Sequence, residues 1–130
     1  MILCISTISK ITEVFLSNEE GKILKGERYL HEKHQSEKVL KIIDKILSGE
    51  KPEKIIVMNG MGSYTGTRIG VSIANALAFA WSLDIGSVST SEYVGDDEAF
   101  NSTPYIQEFL KDPSWDKMVE PVYNREPKIG

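Results

Sequence analysis

Residues 59–70, NGMGSYTGTRIG, place Gly60, Gly62 and Gly66 within seven positions, with Ser63 and Thr65 among them and Arg68 just beyond. An apolar run precedes them and a helical pattern follows. At such a junction, free backbone N–H groups and the helix dipole favour an anion. Glycine lets the backbone take positive φ and approach a ligand closely. Ser63 and Thr65 supply hydroxyl donors or a helix cap, and Arg68 supplies a cation. The spacing does not fit the specific phosphate motifs. A Walker A loop requires Lys-Ser/Thr after its last glycine, and here Thr67 and Arg68 follow Gly66. The dinucleotide fingerprint is G-x-G-x-x-G on the first strand of a βαβ unit, and here the pattern is G-x-G-x-x-x-G on the fourth strand. Two readings stay open: a bound phosphate, or a tight turn that lets helix and sheet pack closely.

Other chemistry-bearing residues are sparse. His31 and His34 stand at i, i+3 with Glu32 between them, which is short of a metal-ligand set. Capping or interface histidines are the expectation. The acidic tetrad GDDE, 95–98, lacks the alternating ligands of a calcium loop and reads as solvated. No serine is paired with an activating base in any recognisable pattern. The single cysteine, Cys4, lies in an apolar run; it forms no internal disulfide and reads as a buried, inert thiol.

The elements that must position these residues are legible from periodicity. Residues 2–5 (ILCI) and 11–16 (ITEVFL) read as strands, and 22–30 (KILKGERYL) as a third strand at an edge, with Gly26 as a bulge. From Glu32 to Leu47 the period becomes helical through Val39, Leu40, Ile43, Ile46 and Leu47, and Ser48-Gly49 stops it. Residues 54–58 (KIIVM) form a strand, about 65–81 a second helix, and 85–89 a last strand. A short helix fits 104–111. The order β-β-β-α-β-α-β requires parallel crossovers, hence a mixed five-stranded α/β sheet with flanking helices. On the second helix Gly66, Gly70, Ala74 and Ala78 recur every four residues, beside a larger stripe of Ile69, Ile73, Leu77 and Trp81. One stripe faces the sheet; the small one is open to the first helix or to a partner protein.

The bulk numbers fit one domain. The chain has 130 residues, 41% hydrophobic and 26% charged, with a net charge of −4. An acidic total argues against a chain that grips nucleic acid alone. No apolar run approaches the ~20 residues of a membrane helix and no signal-peptide pattern opens the sequence, so the expectation is a cytoplasmic protein without membrane contact.

Taken in order, these stretches resemble a known family. GSYTGTRIG after a strand, then ALAFAWSLDIGSVST, is similar to the TsaB (YeaZ) family motif, close to G-x-G-S-[FY]-T-G-[LV]-R-I-G with an alanine-rich helix and a strand ending near V-S-[ST]. MILCIST stands where that family opens with a strand and an Asp-Thr pair. EKHQSEKVLKIIDKIL resembles its first helix, and EPVYNREP its closing Pro-x-Tyr-x-Arg segment, here Tyr123 and Arg125. The resemblance covers about residues 1–91 and 119–127.

The resemblance implies one lobe of the actin, sugar kinase and Hsp70-like (ribonuclease H-like) fold. It implies a non-catalytic scaffold in the synthesis of N6-threonylcarbamoyladenosine at position 37 of tRNA. The partners would be the catalytic subunit TsaD, the ATPase TsaE, and tRNA only through the complex. No cofactor would belong to the chain itself, with ATP or ADP at the junction with TsaD. Residues 1–91 would be the actin-like lobe, 92–118 a reduced second lobe or connection, and 119–130 a segment returning to the lobe. Ser6 replaces the first-strand Asp that holds metal-linked phosphates in catalytic relatives, which argues against catalysis, and Met61 replaces a proline. Family members pair through two helices, here 33–48 and 66–82, with TsaD or with themselves. The expected interface is His34, Val39, Ile43, Ile46, Gly70, Ala74 and Ala78. The glycine loop, Gly60, Met61, Gly62, Ser63, Thr65, Gly66 and Arg68, would lie at the subunit junction or hold phosphate. The alternatives are a small phosphate- or nucleotide-binding enzyme of the same superfamily, and a self-associating structural domain.

Overall fold

A computed structural model describes residues 1–31 and 36–122. Three strands come first: β1 (Ile2–Ser6), β2 (Ile11–Ser17) and β3 (Ile23–Leu30). Then follow α1 (Ser36–Leu47), β4 (Lys54–Met58), α2 (Tyr64–Trp81), β5 (Asp84–Val88) and α3 (Thr103–Lys111). The sheet order is β3-β2-β1-β4-β5. β1 pairs antiparallel with β2 and parallel with β4; β2–β3 is antiparallel and β4–β5 parallel. The mixed five-stranded sheet expected from the element order is the one formed.

Period-2 alternation assigns each strand two faces. Leu3, Ile5, Val14, Leu16, Ile55, Val57 and Ile85 pack with α1 and α2, through Val39, Ile43, Ile46, Ala74 and Ala78 among others. Ile2, Cys4, Phe15, Ile56, Met58 and Val88 pack on the opposite side with Phe100 and Ile106, the latter from α3. The central strands β1 and β2 are buried throughout because both sides are covered.

The caps follow local chemistry. Ser63 caps α2, its Oγ accepting from Gly66 N at 3.0 Å. Ser82 ends that helix in the left-handed conformation, and Leu83 N donates to Ala78 O at 2.9 Å. Ser48 and Gly49, both at positive φ, terminate α1.

One local expectation is corrected. Gly26 is not the bulge. It lies opposite Phe15 in regular register, and the irregularity falls at Leu16/Ser17, where Lys25 and Ile23 are the partners and Leu24 is the extra residue. A Cβ at position 26 would run into Phe15, so the glycine serves close strand contact. The described part of the first helix begins at Ser36; Glu32 and His34 lie outside the described residues, as do Tyr123 and Arg125.

Candidate functional site

The glycine loop sits between the end of β4 and the first turn of α2, and the β1–β2 turn lies directly on it. A Cβ at Gly62 would strike the Ile8 carbonyl, and one at Gly66 the Thr7 carbonyl. A Cβ at Gly70 would lie 2.5 Å from Thr7 Oγ1. Ser63 N donates to Ile8 O at 3.0 Å, and Thr7 Oγ1 donates to Gly66 O at 2.5 Å. Gly60 takes φ +103. The loop backbone is tied on its other side too: Thr90 N donates to Gly60 O, Met61 N to Thr90 Oγ1 at 3.0 Å, and Val94 N to Met61 O. Each glycine therefore has a packing reason of its own. The loop's outer members Thr65 and Arg68 are exposed, whereas Gly60, Gly62 and Gly66 are buried.

Asn59, just before the loop, is a hub that sequence patterns did not single out. Its Nδ2 donates to Ser87 Oγ and to Glu120 O, and its Oδ1 accepts from Val122 N at 2.8 Å. Asn75 on α2 does the same for Val119, donating to its carbonyl at 2.7 Å and accepting from its N–H at 3.0 Å. Asp116 exchanges two backbone bonds with Ile85. Residues 116–122 thus form a strap along β5 and across α2, fastened by two side-chain amides. An Asn in a helix and one after a strand carry no spacing signal, so only the fold discloses this use.

The interface residues expected on the helices need correction. Val39, Ile43, Ile46, Gly70, Ala74 and Ala78 are all buried within the chain's own core. The small-residue ladder lets α2 settle on the sheet, with Gly70 against Thr7 and Val57. The face that α2 turns outward is a different one, formed by Thr65, Arg68, Ser72, Ala76, Phe79 and Ala80. Ser72, Ala76 and Ala80 repeat the four-residue spacing there. Phe79 is 87% exposed, and Leu40 on α1 is 45% exposed. Arg68 is the one charged residue in the eighteen of α2. Between the helices a groove of about 300 Å³ is lined by Ser36, Thr65, Arg68, Ile69, Ser72 and Ile73.

The remaining candidates are placed as follows. His31 Nδ1 lies 2.9 Å from Thr12 Oγ1, and burial holds the imidazole below its ordinary pKa. Thr12 is almost wholly buried, whereas His31 is half-buried. Ser6 is buried with no hydrogen-bond partner for its hydroxyl. In the acidic tetrad, Asp97 Oδ1 accepts from Ala99 N, and Glu98 approaches Lys10 at 3.9 Å. Among the described residues no three His, Cys, Asp or Glu side chains gather as a metal site. Burial pushes the Cys4 thiol up to about 12. Glu13, buried on the second sheet face, accepts from Arg28 Nε at 3.2 Å and from Ser102 N at 2.9 Å. Among the described residues no helix is long and apolar enough to cross a membrane.

With this geometry in hand, three comparisons bear on identity. No family model matches the chain. The tRNA threonylcarbamoyladenosine biosynthesis protein TsaB of Bacillus subtilis (strain 168) is 33% identical over 96 residues, which is 70% of this chain and 42% of that protein. The solved structure of YeaZ from Pseudomonas aeruginosa superposes with a TM-score of 0.60 at 25% identity, over 68% of this chain and 43% of its own. A crystal structure of an uncharacterized protein, described as similar to peptidase YeaZ from Pseudomonas aeruginosa, gives the same TM-score and identity over 68% of this chain and 42% of its own. The chain spans less than half the length of these relatives.

Proposed function

Over the stretch it shares with those relatives the chain belongs to the TsaB (YeaZ) family, and from that premise we propose that it is a non-catalytic activating subunit in tRNA N6-threonylcarbamoyladenosine synthesis. It docks the catalytic subunit TsaD through the outer face of α2 and the neighbouring edge of α1. The observation that carries this reading is the character of that face. Residues 65–80 expose small side chains at four-residue spacing, a bare Phe79 and a single charge, where a solvated helix face would carry several charges. Small residues let a partner helix approach closely, and an exposed aromatic supplies the anchor.

The glycine loop and the strap then act as supports. They fix the start of α2 against the β1–β2 turn and its middle against Val119, so the docking face is presented rigidly. Residues 92–118 take the place of a second lobe. TsaE and tRNA meet this chain only within the complex, any ATP or ADP lies at the junction with TsaD, and the compartment is the cytoplasm. Two features weigh against a kinase-like reading: Ser6 stands in place of the carboxylate, and the chain's own packing consumes the loop glycines.

The experiment is reconstitution. TsaD from the same organism, tRNA, TsaE and threonylcarbamoyl donor are assayed for modified nucleoside with and without this chain. Product formation that depends on the chain, with none from the chain alone, is the expected result. Full activity without it would overturn the proposal.

A further inference from the structure

The groove between α1 and α2 has a one-sided chemistry. Among the described residues six line it: Ile69 and Ile73 are apolar, and the other four are Arg68, Ser36, Thr65 and Ser72. All four polar groups can donate hydrogen bonds, and none of these described residues is a carboxylate. Among the described residues Arg68 makes no ion pair. Its guanidinium carbon lies 5.1 Å from the Tyr64 ring centroid, which holds the side chain over the first turn of α2. The rest of that helix carries no charge. A partner that covers this face desolvates Arg68. A covered guanidinium without a counter-charge is strongly unfavourable, whereas one paired with a carboxylate in a forked geometry is well satisfied.

We infer that the partner seated on this face inserts a carboxylate side chain into the groove, where Arg68 holds it with the Ser36, Thr65 and Ser72 hydroxyls around it. This inference rests on the proposed docking of TsaD and names the contact that selects it. The groove, at about 300 Å³, has ample room for an acidic side chain, and its apolar floor takes that side chain's methylenes. Thr65 stands one turn before Arg68 and Ser72 one turn after it, so one incoming carboxylate can meet several donors.

The test is a titration of the full chain against TsaD at several salt concentrations, with Arg68→Gln, Arg68→Lys and Ala76→Arg as variants. Wild type should bind with an affinity that falls as salt rises. Arg68→Gln should weaken binding on the order of thirty-fold and flatten the salt dependence. Arg68→Lys should restore the salt dependence but only part of the affinity, because lysine lacks the fork. If Arg68→Gln binds with wild-type affinity and salt slope while Ala76→Arg does not bind, the docking face stands and the carboxylate contact is wrong. Inorganic phosphate or ADP is added to the isolated chain in a parallel arm. Binding there that is lost in Arg68→Gln would make the occupant a small anion and overturn the inference. No binding of wild type to TsaD would sink the docking proposal itself, and this contact with it.

Discussion

Gly62 shows how a residue whose spacing suggests chemistry can also carry a packing role. Sequence spacing left a phosphate loop and a tight turn open. What decides the packing role is the β1–β2 turn, more than fifty residues earlier, whose Ile8 and Thr7 carbonyls lie against Gly62 and Gly66. No local pattern announces that approach. Gly62→Ala should therefore destabilise the chain by about 1–3 kcal/mol, measured by urea unfolding, because backbone must shift to admit the methyl group. His31 gives a second residue-scale prediction. Its pKa is lowered by burial, so the unfolded chain binds the proton more tightly than the folded one. Stability from this group is complete above the unfolded value of about 6.5, and it is lost as pH falls through the lowered folded value. The denaturation midpoint should drop from pH 7.5 to pH 5, and the drop should be smaller in His31→Gln. Cys4 was legible from composition alone. A thiol with a pKa near 12 inside the core should resist labelling in the native state and react promptly once the chain is unfolded.

At the scale of elements, α2 was found by its period but not oriented by it. Two stripes of small residues run along the same helix, Gly66/Gly70/Ala74/Ala78 and Ser72/Ala76/Ala80, and spacing treats them alike. The sheet chooses between them because glycine at 66 and 70 meets the crowded β1–β2 turn, leaving the second stripe outside. The two faces give opposite predictions. Ala74→Arg buries an unpaired charge and should cost more than about 3 kcal/mol, leaving little folded protein. Ala76→Arg should leave the melting curve within about 0.5 kcal/mol of wild type, since its site is exposed. A segment returning to the lobe over 119–130 was expected from the resemblance, but the strap's fastening was not legible, because its fasteners are single asparagines. Asn75→Ala removes both hydrogen bonds to Val119 and should cost about 2–3 kcal/mol, measured by thermal or urea unfolding. Hydrogen exchange at the Val119 amide should quicken in the same variant.

For the molecule as a whole, the order of strands and helices was enough to fix the sheet's composition, because right-handed parallel crossovers leave few arrangements. Of the layer beneath the sheet only the short helix was legible, expected over 104–111 and formed at Thr103–Lys111. Residues 92–122 have little periodicity, and they find their places through Phe100, Ile106 and Val119 entering the two cores that the sheet divides. The result is a lobe whose second sheet face is covered by its own chain and whose first face is covered by two helices, one of them with a single charge, Arg68, on its outer side. That outer side is where the account places its function. The most direct test is the affinity of the folded chain for TsaD of its own organism, wild type against Ala76→Arg, with both proteins matched in stability. Tight binding by wild type that is lost in Ala76→Arg is the result predicted. Equal binding by both would contradict the claim that the outer face of α2 is the docking surface.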